Sequence, residues 1–148
     1  DATDFEKLAV QFPDMIKPND GEFIVRKARA SAFFGTHLIT YLVRKNIDCL
    51  LIAGTSTCGC VRGTVLDGYS FGYPVFVVEE CVFDRHQACH AINLFDMNQK
   101  YADVLPLDEI IKYLDAWRAE KAGQVGYANN ALEYLKDLGI GETYKGLR

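Results

Sequence analysis

The run Cys49-Leu50-Leu51-Ile52-Ala53 ends at Gly54 and passes at once into the small polar stretch Thr55-Ser56-Thr57-Cys58-Gly59-Cys60. A short continuous apolar run closed by a glycine predicts a strand covered on both faces. From Val61 the spacing changes, and Val61, Thr64, Val65 and Gly68 recur with helical period as far as Gly72. A strand that feeds a tight turn and then a helix is the first half of a β–α–β unit. It confines the chain to folds built on a parallel sheet.

The flanking sequence repeats the alternation. Residues 73–78 predict a second buried strand, 79–86 a loop, 87–98 a helix and 102–105 a short strand. Residues 107–120 predict an amphipathic helix with Ile110, Ile111, Leu114 and Trp117 facing inward. Upstream, residues 1–20 read as an irregular lead-in closed by the turn Pro18-Asn19-Asp20-Gly21. A short strand is expected at 22–27, with Phe23 and Val25 opposite Ile24. Thr36 is placed to cap a helix carrying Leu38, Ile39, Leu42 and Val43 on one face. Strands alternating with helices predict right-handed crossovers and helices on both sides of a parallel sheet. Past Lys121 the chain becomes glycine-punctuated, with one helix-like stretch at 127–138. The expected division is a domain at 1–122 and a helical extension or arm at 123–148 that packs on a neighbouring subunit.

Composition excludes several classes of partner. Across 148 residues, 49% are apolar and 24% charged, a balance suited to one globular domain. A net charge of −4 without any basic stripe argues against a nucleic-acid surface. No apolar run approaches the roughly 18 residues that span a bilayer. The cysteines at 49, 58, 60, 81 and 89 are odd in number, which fits reduced thiols better than a disulfide framework. With no signal peptide in the sequence given, a cytoplasmic setting is expected.

In open α/β sheets, ligands bind beyond the carboxyl ends of the strands. Cys60 falls there, at the start of a helix whose N–H groups and dipole stabilise a thiolate and can cradle an oxyanion. Alone, a cysteine so placed is as readily a small packed hydrophobe. Gly59 allows a sharp turn beside it. The spacing of Cys58 and Cys60 is not that of a thioredoxin-like motif, and no second ligand pair appears, so neither metal nor cofactor is expected. Lys27 would end its strand on the same sheet edge, either as a solvated charge or as a cation beside the thiolate. Arg85 follows the next strand, as an ion-pair partner of Asp84 or Glu80, or as a fork for a substrate carboxylate. His37 reads as exposed, His86 as a cap or surface residue, and His90 as helix-face packing.

These residues carry a resemblance. Lys27-Ala28-Arg29-Ala30-Ser31-Ala32-Phe33-Phe34-Gly35-Thr36 resembles the lysine motif of the isochorismatase-like cysteine hydrolases, and residues 54–64 resemble their nucleophile motif. Glu80-Cys81-Val82-Phe83-Asp84-Arg85, with His90, Leu94-Phe95-Asp96 and residues 100–104, is similar to the N-carbamoylsarcosine amidohydrolase branch. The resemblance implies a Rossmann-like three-layer α/β/α fold with a parallel sheet, and a catalytic triad of Asp, Lys and Cys. It implies Cys60 as nucleophile and Lys27 as the lysine. It also implies a cis peptide between Thr55 and Ser56, an oxyanion hole from the amides of Ser56 and Cys60, and Arg85 as the carboxylate-binding residue. The family's aspartate and first strands lie upstream of the lysine motif, and the chain is expected to begin after them. The implied activity is hydrolysis of a small amide or ureido substrate by a homo-oligomer, dimer or tetramer. The alternative is a catalytically inactive binding or assembly protein on the same fold.

Overall fold

A computed structural model describes residues 12–123. Three parallel strands, β1 (Leu50–Thr55), β2 (Val75–Phe83) and β3 (Asp103–Leu105), lie in that spatial order. The helices are α1 (Leu38–Arg44), α2 (Arg62–Ser70), α3 (Gln87–Lys100) and α4 (Leu107–Gly123), with a π-helical turn, Thr57–Val61, between β1 and α2. The two faces of β2 feed separate cores. Val75, Val77 and Val82 pack with Leu42 of α1, Val61, Val65 of α2, and Leu94 and Met97 of α3. Phe76, on the opposite face, packs with Tyr113 of α4. Helices therefore cover both sides of a parallel sheet, as the alternation of elements predicts.

Several local expectations are corrected. Double coverage belongs to β2, where Val75 to Val78 are all buried, and not to β1. β1 is an edge of the described sheet, so Leu51 remains 39% exposed. An apolar run announces a strand but not its rank among strands. Residues 22–27 form no strand, because a strand needs a ladder partner and the described sheet supplies none. Phe23 instead stacks on Tyr41 of α1, with ring centroids 4.1 Å apart.

β2 continues to Phe83, although a loop was expected from residue 79. Ile52 pairs with Val77 but Gly54 with Val82, so two steps along β1 answer five along β2. The polar pair Glu79-Glu80 occupies that bulge, which is why it reads as a loop. Gly54 sits at the shift with φ +120°, a conformation that other residues hold only under strain. Among the α4 side chains described, Ile110 and Tyr113 are buried, whereas Ile111, Leu114 and Trp117 stay 39–47% exposed. Tyr113 is the one that packs in the Phe76 cluster. Thr36 lies one residue outside the cap position of α1, yet its hydroxyl still accepts the Leu38 N–H at 3.2 Å. Beyond Gly123 the expected arm lies outside the described residues.

Candidate active site

The turn that resembles a nucleophile motif is assembled by backbone bonds around Cys60. The Thr55–Ser56 peptide is cis, and Ser56 is extended before the π turn begins. The Ser56 carbonyl accepts the N–H groups of Gly59 at 3.0 Å and Val61 at 3.2 Å, the two neighbours of Cys60. The Cys60 carbonyl accepts the Thr64 hydroxyl at 2.8 Å. Gly59 has a local steric role, since a Cβ there would stand 2.8 Å from the Ser56 hydroxyl oxygen.

Lys27 reaches the turn without a strand of its own. Its segment is anchored five and six residues later, where the Ala32 N–H donates to Thr64 Oγ1 at 3.0 Å and Phe33 is buried in the core. The segment passes so close to α2 that a Cβ on Gly63 would lie 3.3 Å from the Ser31 amide. Lys27 Nζ then stands 3.2 Å from Cys60 Sγ and donates to the Arg29 carbonyl at 3.0 Å. A concavity of about 1040 Å³ is lined by residues 12–27, including Lys27, but not by Cys60. Lys27 is the lining residue that bonds to Cys60.

Arg85 is exposed just beyond β2, and neither expected carboxylate partner is engaged with its guanidinium. Glu80 accepts the Leu107 N–H at 2.7 Å, closing the first turn of α4. Asp84 accepts the N–H of Cys58 at 2.7 Å and of Arg85 at 2.8 Å, tying the end of β2 to the nucleophile turn. Sequence reasoning missed this brace, since an acidic residue beside an arginine signals an ion pair and not a clamp on distant amides.

The brace also separates the two cysteines of the turn. Hydrogen bonding with the Cys58 side chain, then with its N–H, holds the Asp84 carboxyl at about 2, below its ordinary 3.8. The same carboxylate pushes the Cys58 thiol above its ordinary 9.0. Asp84 has a folded value below its unfolded one, so its stabilisation of the turn is full above about pH 4. It is lost as pH falls through about 2. Cys58 has the raised value, so its share is full below about pH 9 and is lost as pH rises further. Burial, followed by Asp48, pushes Cys49 up to about 12. Iodoacetamide at about pH 8, below the ordinary cysteine range, is therefore expected to label Cys60 ahead of the more exposed Cys58. Asp84→Asn should speed labelling of Cys58, read by peptide mapping. Equal Cys58 rates in parent and variant would show that the carboxylate does not restrain that thiol.

The histidines divide. His37 and His86 are exposed, and His86 occupies the cap position of α3 without a side-chain cap. His90 corrects the helix-packing expectation: its Nδ1 lies 2.9 Å from Oγ1 of the fully buried Thr57. Among the described residues no group of three His, Cys, Asp or Glu side chains is placed to hold a metal. No described helix is long and apolar enough to cross a membrane.

A parallel sheet with helices on both faces, and a lysine against a cysteine where β1 gives way to a helix, defines an α/β protein with a paired thiol. The isochorismatase domain profile matches residues 5–109, so the chain belongs to the isochorismatase family. Maleamate amidohydrolase of Pseudomonas putida is 40% identical over 103 residues, covering 70% of this chain and 48% of that protein. N-carbamoylsarcosine amidase of an Arthrobacter species is 41% identical over 106 residues, covering 72% and 40%. A solved isochorismatase-like hydrolase from Alkaliphilus metalliredigens has a TM-score of 0.66 at 30% identity, covering 72% of this chain and 57% of its own. The chain thus spans under half the length of the two curated relatives.

Proposed function

We propose that this chain carries the nucleophile of a cysteine amidohydrolase acting on a small, carboxylate-bearing amide or ureido compound. The observation that carries the reading is the 3.2 Å contact between Lys27 Nζ and Cys60 Sγ. An ammonium at that distance favours a thiolate over a thiol. Cys60 attacks the carbonyl carbon, and the π pair moves to oxygen, where the amides of Ser56 and Cys60 receive it. Collapse expels the nitrogen, which takes a proton from a carboxylic acid, leaving a thioester or thiocarbamate on sulfur. Water gives its proton to the same carboxylate, attacks the acyl carbon and regenerates the thiolate. The family resemblance assigns the acid to an aspartate upstream of the lysine motif. The names of the two curated relatives, an amidohydrolase and an amidase, support the reaction class.

Arg85 is proposed to select the substrate's carboxylate, with support from its exposed position and from Asp84 and Glu80 being bonded to backbone N–H groups instead of its guanidinium. Arg85→Lys is expected to cost about 1.5–3 kcal/mol in kcat/KM on ureido acids, the range for charged hydrogen bonds. Amides without a carboxylate should react as before. Ammonia release from the two substrate types measures this, and equal losses on both would make Arg85 structural.

A second reading is a catalytically inactive binding or assembly protein. It is favoured by one observation: a relative from Arabidopsis thaliana named a probable inactive nicotinamidase is 38% identical over 84 residues, covering 56% of this chain and 42% of that protein. A thiol that alkylates readily beside a protein that releases no ammonia from any amide or ureide would decide for it.

A further inference from the structure

Thr57 opens the nucleophile turn and is 0% exposed, yet it is polar. Its hydroxyl pairs at 2.9 Å with His90 Nδ1, on the first turn of α3 and 33 residues away. The same helix sends Leu94 and Met97 into the same core through apolar contact alone. A directional bond is made instead at the one position that directly follows Ser56. A buried hydroxyl tolerates little loss of its partner, so the pair fixes the Thr57 side chain and the backbone that carries it. That backbone joins Ser56 to the π turn ending in Cys60 and Val61. Donors to an oxyanion work only when held in advance at hydrogen-bond distance from where charge develops.

We propose that His90 is a positioning residue: acting through Thr57, it holds the Ser56 and Cys60 amides at the spacing an oxyanion requires. The inference rests on the amidohydrolase reading. His90 itself takes no proton from the substrate, and its recorded side-chain partner is Thr57.

Two reactions of one thiol separate positioning from folding. Alkylation by iodoacetamide is displacement at saturated carbon and forms no oxyanion, whereas amide turnover does. In the full-length protein, Thr57→Val and His90→Phe are each expected to lower kcat by ~10-fold or more. KM and the rate of Cys60 alkylation should stay at parental values. The double variant should be no worse than either single one, because both break the same link. Thr57→Ser, which keeps the hydroxyl, should recover most of kcat. If His90→Phe does not fold, His90→Leu takes its place, with Thr57→Val as the partner variant. Unchanged kcat, additive losses, or kcat and alkylation falling together would overturn the proposal. A parent that turns over no amide or ureide overturns the amidohydrolase reading and this proposal with it. Turnover in the parent that the variants leave intact overturns this proposal alone.

Discussion

Cys60→Ser is expected to cost turnover ~10⁴-fold or more while leaving the fold intact, in line with loss of a nucleophile from a catalytic set. The size follows from what stands beside the atom. Lys27 Nζ at 3.2 Å is a cation that favours a thiolate, and it is not a base that could strip a proton from an alcohol. A serine hydroxyl would remain protonated there and attack poorly. The substitution removes little volume, and Cys60 is only partly buried, so the thermal transition should barely move. Ammonia release, measured beside a thermal melt, tests both halves. A serine variant retaining about a hundredth of parental kcat or more, far above that expected loss, would rule out Cys60 as the attacking group.

The second large effect belongs to Lys27. Lys27→Met keeps most of the aliphatic stem and removes the charge, and kcat/KM is expected to fall ~10²–10³-fold, as for a lost electrostatic donor. Alkylation of Cys60 near neutral pH should fall with it, since both reactions draw on the thiolate. That parallel loss distinguishes Lys27 from Thr57 and His90, whose variants should alter turnover alone. Lys27→Arg should recover only part of either rate. A planar guanidinium cannot readily reproduce the compact contacts to the Arg29 carbonyl and Cys60 Sγ. Undiminished alkylation in Lys27→Met would mean that the cation does not sustain the thiolate.

What could be read from the chain and what could not divide on physical grounds. The helix at Gln87–Lys100 and the short strand after it follow from local periodicity, and both are found close to where that periodicity puts them. Residues 22–27 alternate like a strand, but pairing is a property of two segments and no single segment encodes it. Glu79 and Glu80 read as a loop because polarity was the only signal, whereas a register shift keeps them inside β2. On α4, composition marks a broad stripe, and burial falls on Ile110 and on Tyr113, which packs against Phe76. At the site, Lys27 and Cys60 stand out because their motifs are contiguous in sequence. The Asp84 brace and the Thr57–His90 bond join residues 26 and 33 positions apart, and no local pattern announces them.

The nucleophile turn is tied to three elements at once: to β2 through Asp84, to α3 through His90, and to α2 through Thr64. Such a turn cannot fray by itself, because each tie would have to break as the underlying core opens. It belongs with the slowest-opening part of the molecule, although it lies between regular elements. The stretch from residue 12 to 26, ahead of Lys27, is the opposite case, with no buried residue and few bonds to the rest. Exchanges within residues 12–26 can therefore reshape the hollow they line, one after another, while the turn that carries the sulfur stays as it is.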